Sequence, residues 1–132
     1  MRDLTKLLEL LDKLNTLSQP SRKVDESLAR IIGYEVSMET DPRSGSLQKI
    51  FRRSGESNAI RLPTFTESLD RAIEFADALC PGHAGAIARK GGNIVATIDD
   101  GVTAGPAPNA AIAVCMAALR QAHRKGKRDD HA

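Results

Sequence analysis

Cys80 and His83 stand in a C-x-x-H spacing, half of the four-ligand set that a structural zinc site uses. The chain holds two cysteines and three histidines, and no second pair completes the set. Cys80 falls at the expected C-terminus of a helix, where the helix dipole disfavours a thiolate, so it is a poor nucleophile. Cys115 lies mid-helix among alanines and reads as a small core residue. Asp99 and Asp100 are adjacent carboxylates, but in "DDG" they carry the residue types of a turn. Gly91 and Gly92 join two strands, whereas a phosphate loop needs its glycines to open a helix. No nucleophile elbow is present, and the scattered histidines support no hydrolytic triad. These residues predict no catalytic, metal or cofactor site.

The basic residues form two groups. Arg120, His123, Arg124, Lys125, Lys127 and Arg128 crowd the end of the last expected helix. Cations there also complement the helix dipole. Arg43, Lys49, Arg52, Arg53 and Arg61 lie in or beside a long polar stretch. Arg43, Arg52, Arg53, Arg120, Arg124, Lys125, Lys127 and Arg128 are the candidate nucleic-acid contacts, as a phosphate-tracking surface. The net charge of +2 is too small to name a polyanionic partner by itself.

The elements that position these groups follow from periodicity. Leu4, Leu7, Leu8, Leu11 and Leu14 recur at helical spacing behind a capping Asp3, and this stripe is the candidate protein interface. Ser21 caps a second helix with Val24, Leu28, Ile31 and Ile32 on one face, and Gly33 ends it. The two stripes are expected to pack on each other. Residues 35–62 show no sustained period and read as a linker or a functional loop, with composition favouring the linker. A third helix follows, capped by Thr64 with Glu67 or by Thr66, with Leu69, Ala72, Ile73 and Ala76 inward. Pro81 and Gly82 stop it.

Lys90, Gly91 and Gly92 predict a hairpin turn. Pairing about either Lys90–Gly91 or Gly91–Gly92 puts Ile87 on the face of Ile94, Ala96 and Ile98. Asp99, Asp100 and Gly101 make a second turn, and Val102 to Ala104 a short edge strand. The last helix is expected from about Pro108 to about His123. The fold class is α+β: an N-terminal helical hairpin over 1–34, a polar linker or loop over 35–62, an α-β-β-(β)-α layered sandwich over 63–124, and a charged tail over 125–132. Both sheet faces carry small apolar residues, so a helix on each side is the expected layering. With 41% hydrophobic but only 3% aromatic residues, the core must be aliphatic and alanine-rich.

"FTESLDRAIEFA", a short hairpin, a Gly-Pro turn and "PNAAIAVCMAALRQA" resemble the phage-type ABA sandwich family of small uncharacterised bacterial and prophage proteins. The opening "LLELLDKLNTLSQPSRKVDESLARIIGYE" resembles that family's leader. The chain departs at Ala107–Pro108, where the family has Thr-Pro, and lacks the Trp often seen in the hairpin. The resemblance implies a layered α+β fold and a mobile-element setting, with no catalytic residue to transfer.

No apolar run approaches bilayer length, and the charged N-terminal pattern is not that of a signal peptide, so a cytoplasmic protein is expected. The leading expectation is a non-enzymatic binding or regulatory protein of prophage or mobile-element origin, acting through an unidentified protein partner or self-association, without cofactor or membrane. The alternatives are a sequence-tolerant nucleic-acid binder using the Arg/Lys clusters, and an assembly subunit.

Overall fold

The computed structural model describes residues 3–90, 93–99 and 102–130. Their order is α1 (Leu4–Thr16), α2 (Arg22–Ile31), β1 (Glu35–Thr40), β2 (Leu47–Arg52), α3 (Leu69–Leu79), β3 (Gly85–Lys90), β4 (Asn93–Ile98), β5 (Val102–Ala107) and α4 (Ala110–Asp130). The fold is α+β, with two small antiparallel sheets, β1-β2 and β3-β4-β5.

Local chemistry sets the first two helices. The Asp3 carboxylate accepts from the backbone N–H groups of Thr5 and Lys6 at 2.9 and 3.4 Å, and the Ser21 hydroxyl accepts from Val24 N–H at 3.3 Å. Gly33 takes φ +98° just past α2, a conformation that costs a glycine little.

Residues 35–62 depart from the expected linker or loop, because β1 and β2 pair in register from Glu35↔Arg52 to Thr40↔Leu47. The turn between them is stitched by Asp41, whose carboxylate accepts from Arg43 N–H at 2.9 Å, while Gly45 sits at φ +72°. One face is held by charge: Arg52 forks onto Glu39 at 2.6 and 3.2 Å and donates to Ser37 at 3.2 Å. The opposite face pairs Val36 with Phe51 and Thr40 with Leu47, but Lys49 and Ile50 interrupt the alternation along β2, so hydrophobic periodicity does not reveal the hairpin.

The core is organised around α4. Every residue from Ala111 to Leu119 is buried. Helix α4 packs against α1, α3, β4 and β5, so it lies between the sheet and the other helices. The N-terminal stripes therefore do not mainly pair with each other. Leu7, Leu10, Leu14, Val24 and Leu28 join Ala72, Phe75, Ile112 and Leu119 in one cluster, so segments 1–34 and 63–124 share a core. Alanines let the helix axes approach closely, since little side chain intervenes. Tyr34, Phe65 and Phe75 add an aromatic run with ring centroids 6.4 and 5.6 Å apart.

Three further expectations are corrected. Helix α3 is capped by Ser68, which accepts from Arg71 N–H at 3.4 Å, and not by Thr64 or Thr66. Helix α4 begins after Asn109, whose side-chain oxygen accepts from Ile112 N–H at 2.7 Å, and it continues through Asp130 rather than ending near His123. Asn109 thus supplies the side-chain cap that Ala107 and Pro108 cannot. Strand β5 runs to Ala107, longer than the expected three residues.

The hairpin β3-β4 pairs Lys90 with Asn93 and Ile87 with Ala96, the face assignment expected from the sequence. Gly91, Gly92, Asp100 and Gly101, assigned to turns above, lie outside the described residues. Helices do not cover both sheet faces. Ala96, Ile98 and Ala104 are buried on the α4 side, while Ala86, Ala88 and Thr103 on the opposite face are exposed. That face suits water, because the hydroxyls of Thr97 and Thr103 lie 3.1 Å apart across it.

Candidate functional site

The leucine stripe is not a free interface. Leu7 and Leu14 are buried, Leu4 and Leu11 are partly buried against the core, and only Leu8 is largely exposed, at 44%. Leu10, which the stripe omitted, is buried instead. Spacing found the helix and four of its core-facing leucines, Leu4, Leu7, Leu11 and Leu14, but took Leu8 for Leu10, because leucines occupy more than one side.

The C-x-x-H pair is spent on structure. His83 Nδ1 lies 3.1 Å from the backbone oxygen of Cys80 and 3.4 Å from Asp77 Oδ1. The Cys80 thiol is buried and donates to Ala118 O at 3.5 Å. Burial, with the Asp25 charge second, pushes the Cys115 thiol far above its usual range. Asp99, at φ +52°, accepts from Ala84 N–H at 3.1 Å and from Gln121 at 2.8 Å, holding the sheet to α4. No group of three or more potential metal-ligating side chains occurs among the described residues.

A buried polar node escaped the sequence reading. Asp25, 1% exposed, accepts from Thr66 N–H at 2.8 Å, from Thr66 hydroxyl at 2.9 Å and from Arg22 at 2.8 Å. Arg22 also donates to Leu62 O and Pro63 O, and Asn109 donates to Thr66 O at 3.0 Å. The node ties α2, the 62–66 segment and α4 together with its donors matched, which is a structural role. The R-x-x-D spacing of Arg22 and Asp25 is a local signal that the sequence carries; the Thr66 partner, far along the chain, gives none.

The candidate nucleic-acid contacts are not brought together. Arg43 is at the exposed turn of the β1-β2 hairpin, Arg52 is held by Glu39, and Arg53 has its pKa raised by the neighbouring Tyr34. Arg120 donates to Thr103 O at 2.7 Å. Arg124, Lys125 and Lys127 are exposed near the end of α4, and the side chain of Arg128 lies outside the described residues. Neither cavity beside the β1-β2 hairpin is lined by a residue of α4.

One uncovered part of the molecule is the β3 edge of the three-stranded sheet. The two edges of that sheet differ. On β5, Pro106 has no N–H and the register slips between Ile94 and Ala96, which blunts pairing. On β3, Gly85 to Arg89 are exposed. Asp99 N–H donates to Ala84 O at 2.7 Å, so alternate residues from 84 onward turn their backbone toward β4. Gly85, Ile87 and Arg89 therefore turn theirs toward the open edge. Beside that edge lies a groove of about 380 Å³, lined by Ile73, Ile87 and Val114 with Asp77 and His83 at one end. Ile73 is 41% and Ile87 43% exposed, because α4 covers β4 and β5 but stops short of β3.

No helix among the described residues is long and apolar enough to cross a membrane. The site is thus a strand edge with an apolar floor on an α+β domain. No family model, curated protein or solved structure matches the chain.

Proposed function

We propose that this chain is a non-enzymatic protein-binding module that works by strand addition at the β3 edge, and that the occupant is a second copy of the same chain. The undefended β3 edge carries this reading, because β5 has devices against pairing and β3 has none over Gly85 to Ala88. Antiparallel pairing about Ile87 makes three residue pairs, Gly85 with Arg89, Ile87 with Ile87 and Arg89 with Gly85. Each exchanges two hydrogen bonds. The two Ile87 side chains meet over the grooves that hold Ile73 and Val114. Each Arg89 lies opposite the other copy's Gly85, beside the groove that Asp77 lines. The charge layout is therefore self-complementary, as a two-fold contact requires.

The resemblance to small prophage-type proteins supports a bacterial or mobile-element setting, and a cytoplasmic one, for such a module. Sedimentation velocity from roughly 1 to 300 µM tests the contact, a range suited to a small interface. The expected result is a reversible dimer. Ile87→Pro abolishes it while leaving the monomer folded, since that N–H faces away from β4. Arg89→Asp weakens it, and adding Asp77→Arg restores it. A monomer throughout this range overturns the reading.

A further inference from the structure

Two cavities on the α1–α2 side share Lys13 and Ser27 and so form one trough. The larger, about 960 Å³, lies between α1, α2, β2 and the 60–64 segment; the smaller, about 240 Å³, continues between α1 and α2. Basic residues dominate the walls. Arg22 is neutralised by Asp25, while Lys49 and Arg30 share Glu26 at 2.9 and 3.5 Å. That leaves Lys6, Lys13, Lys23 and Arg61 without an ion-pair partner among the described residues. Glu9 also lines the smaller cavity, so seven basic residues stand against two acidic ones, Glu9 and Glu26, in a chain whose net charge is only +2.

The floor is apolar. Phe51, Ile60 and Leu62 line the larger cavity and are each only partly buried. Phe51 is the one aromatic outside the Tyr34–Phe65–Phe75 run, and it is fixed in place by the Phe51↔Ile60 bridge. An aromatic face at the bottom of a cationic channel is the arrangement that stacks a base while the walls follow the phosphates.

We infer that this trough is a binding site for single-stranded nucleic acid, sequence-tolerant, with Lys6, Lys13, Lys23 and Arg61 on the phosphates and Phe51 under a base. A duplex is disfavoured because its paired bases offer no free face to a recessed ring. An acidic peptide is disfavoured because it offers no planar group to the floor. None of Arg43, Arg52, Arg53, Arg124, Lys125 or Lys127 lines the trough, and neither does any residue of β3.

Fluorescence anisotropy with a labelled thymidine oligonucleotide, the same-length duplex and a poly-glutamate peptide tests it. Four neutralised phosphates give a fall in affinity of roughly 50-fold between 50 and 200 mM salt. Lys13→Ala, Lys23→Ala and Arg61→Ala each lower the salt slope by about 0.7. Phe51→Leu keeps the apolar volume and weakens binding at least about fivefold without changing that slope. Arg124→Ala with Lys125→Ala and Lys127→Ala leaves it unchanged. Circular dichroism of each variant confirms the fold. No oligonucleotide binding at low salt overturns the inference. So does equal affinity for duplex or peptide, or a slope that follows the α4 cluster.

Discussion

Asp25 and Thr66 are 41 residues apart in sequence, yet one carboxylate oxygen accepts both the backbone N–H and the hydroxyl of Thr66, at 2.8 and 2.9 Å. The other oxygen takes Arg22. Both residues are buried, so water cannot replace either partner. Removing the Asp25 carboxylate leaves the buried Thr66 N–H without its acceptor, which costs more than the contact itself contributes.

Asp25→Ala and Thr66→Val should therefore each destabilise the protein by about 1–3 kcal/mol, since Arg22, the charge left behind by the first, is largely exposed. Urea unfolding followed by circular dichroism measures both. Because the two residues share hydrogen bonds, the double variant should cost clearly less than the two singles added. Strict additivity would show that the node is not a coupled unit.

The Asn109 cap predicts a split between two variants. Asn109→Ala should cost about 1–2 kcal/mol, since it loses the bond to Ile112 N–H and the one to Thr66 O. Asn109→Asp keeps the acceptor and loses the donor, so it should fall between wild type and Asn109→Ala in the same unfolding assay.

Glu39 carries the pH dependence of the β1-β2 hairpin. Its hydrogen bond from Arg52, then that from Ser37, lowers its pKa from 4.5 to about 2. The folded value lies below the unfolded one, so the hairpin gains stability above the unfolded pKa. It loses that stability as pH falls from about 4.5 through about 2. A carboxyl-carbon NMR titration should show Glu39 titrating well below the exposed glutamates. Glu39→Gln should remove the acid sensitivity of the hairpin signals. A Glu39 midpoint above 4 would contradict the ion pair.

Cys115 should resist modification in the native state. Its side chain is 0% exposed and burial raises the thiol pKa. Iodoacetamide at pH 8 should label it only at the rate of global opening, and stabilising the fold should slow labelling in proportion. Labelling as fast as a free thiol would show that α4 opens locally.

What the sequence made legible was local chemistry. Asp3 and Ser21 caps, the Gly33 terminator and the shared face of Ile87 and Ala96 all depend on residues close together in the chain. What stayed hidden depends on distant partners. Thr66 reads as a helix cap until Asp25 folds onto it. Arg52 and Glu39 read as linker charge until a turn at Asp41 brings them together. The leucines of α1 look like an outward stripe until α4 supplies the surface that takes them. The trough cations are drawn from α1, α2 and the 60–64 segment, so no single run of sequence displays them.

Helix α4 is the surface on which α1, α3, β4 and β5 all rest, and it follows every one of them in the chain. During synthesis, each of those elements leaves the ribosome before the partner that buries it exists. The apolar faces of Leu7, Leu14, Phe75 and Ile98 must wait in the open until Ala111 to Leu119 emerge. Assembly is thus deferred until α4 has been translated, and a nascent chain halted before Gly105 exposes the apolar faces that chaperones recognise rather than forming a partly built domain.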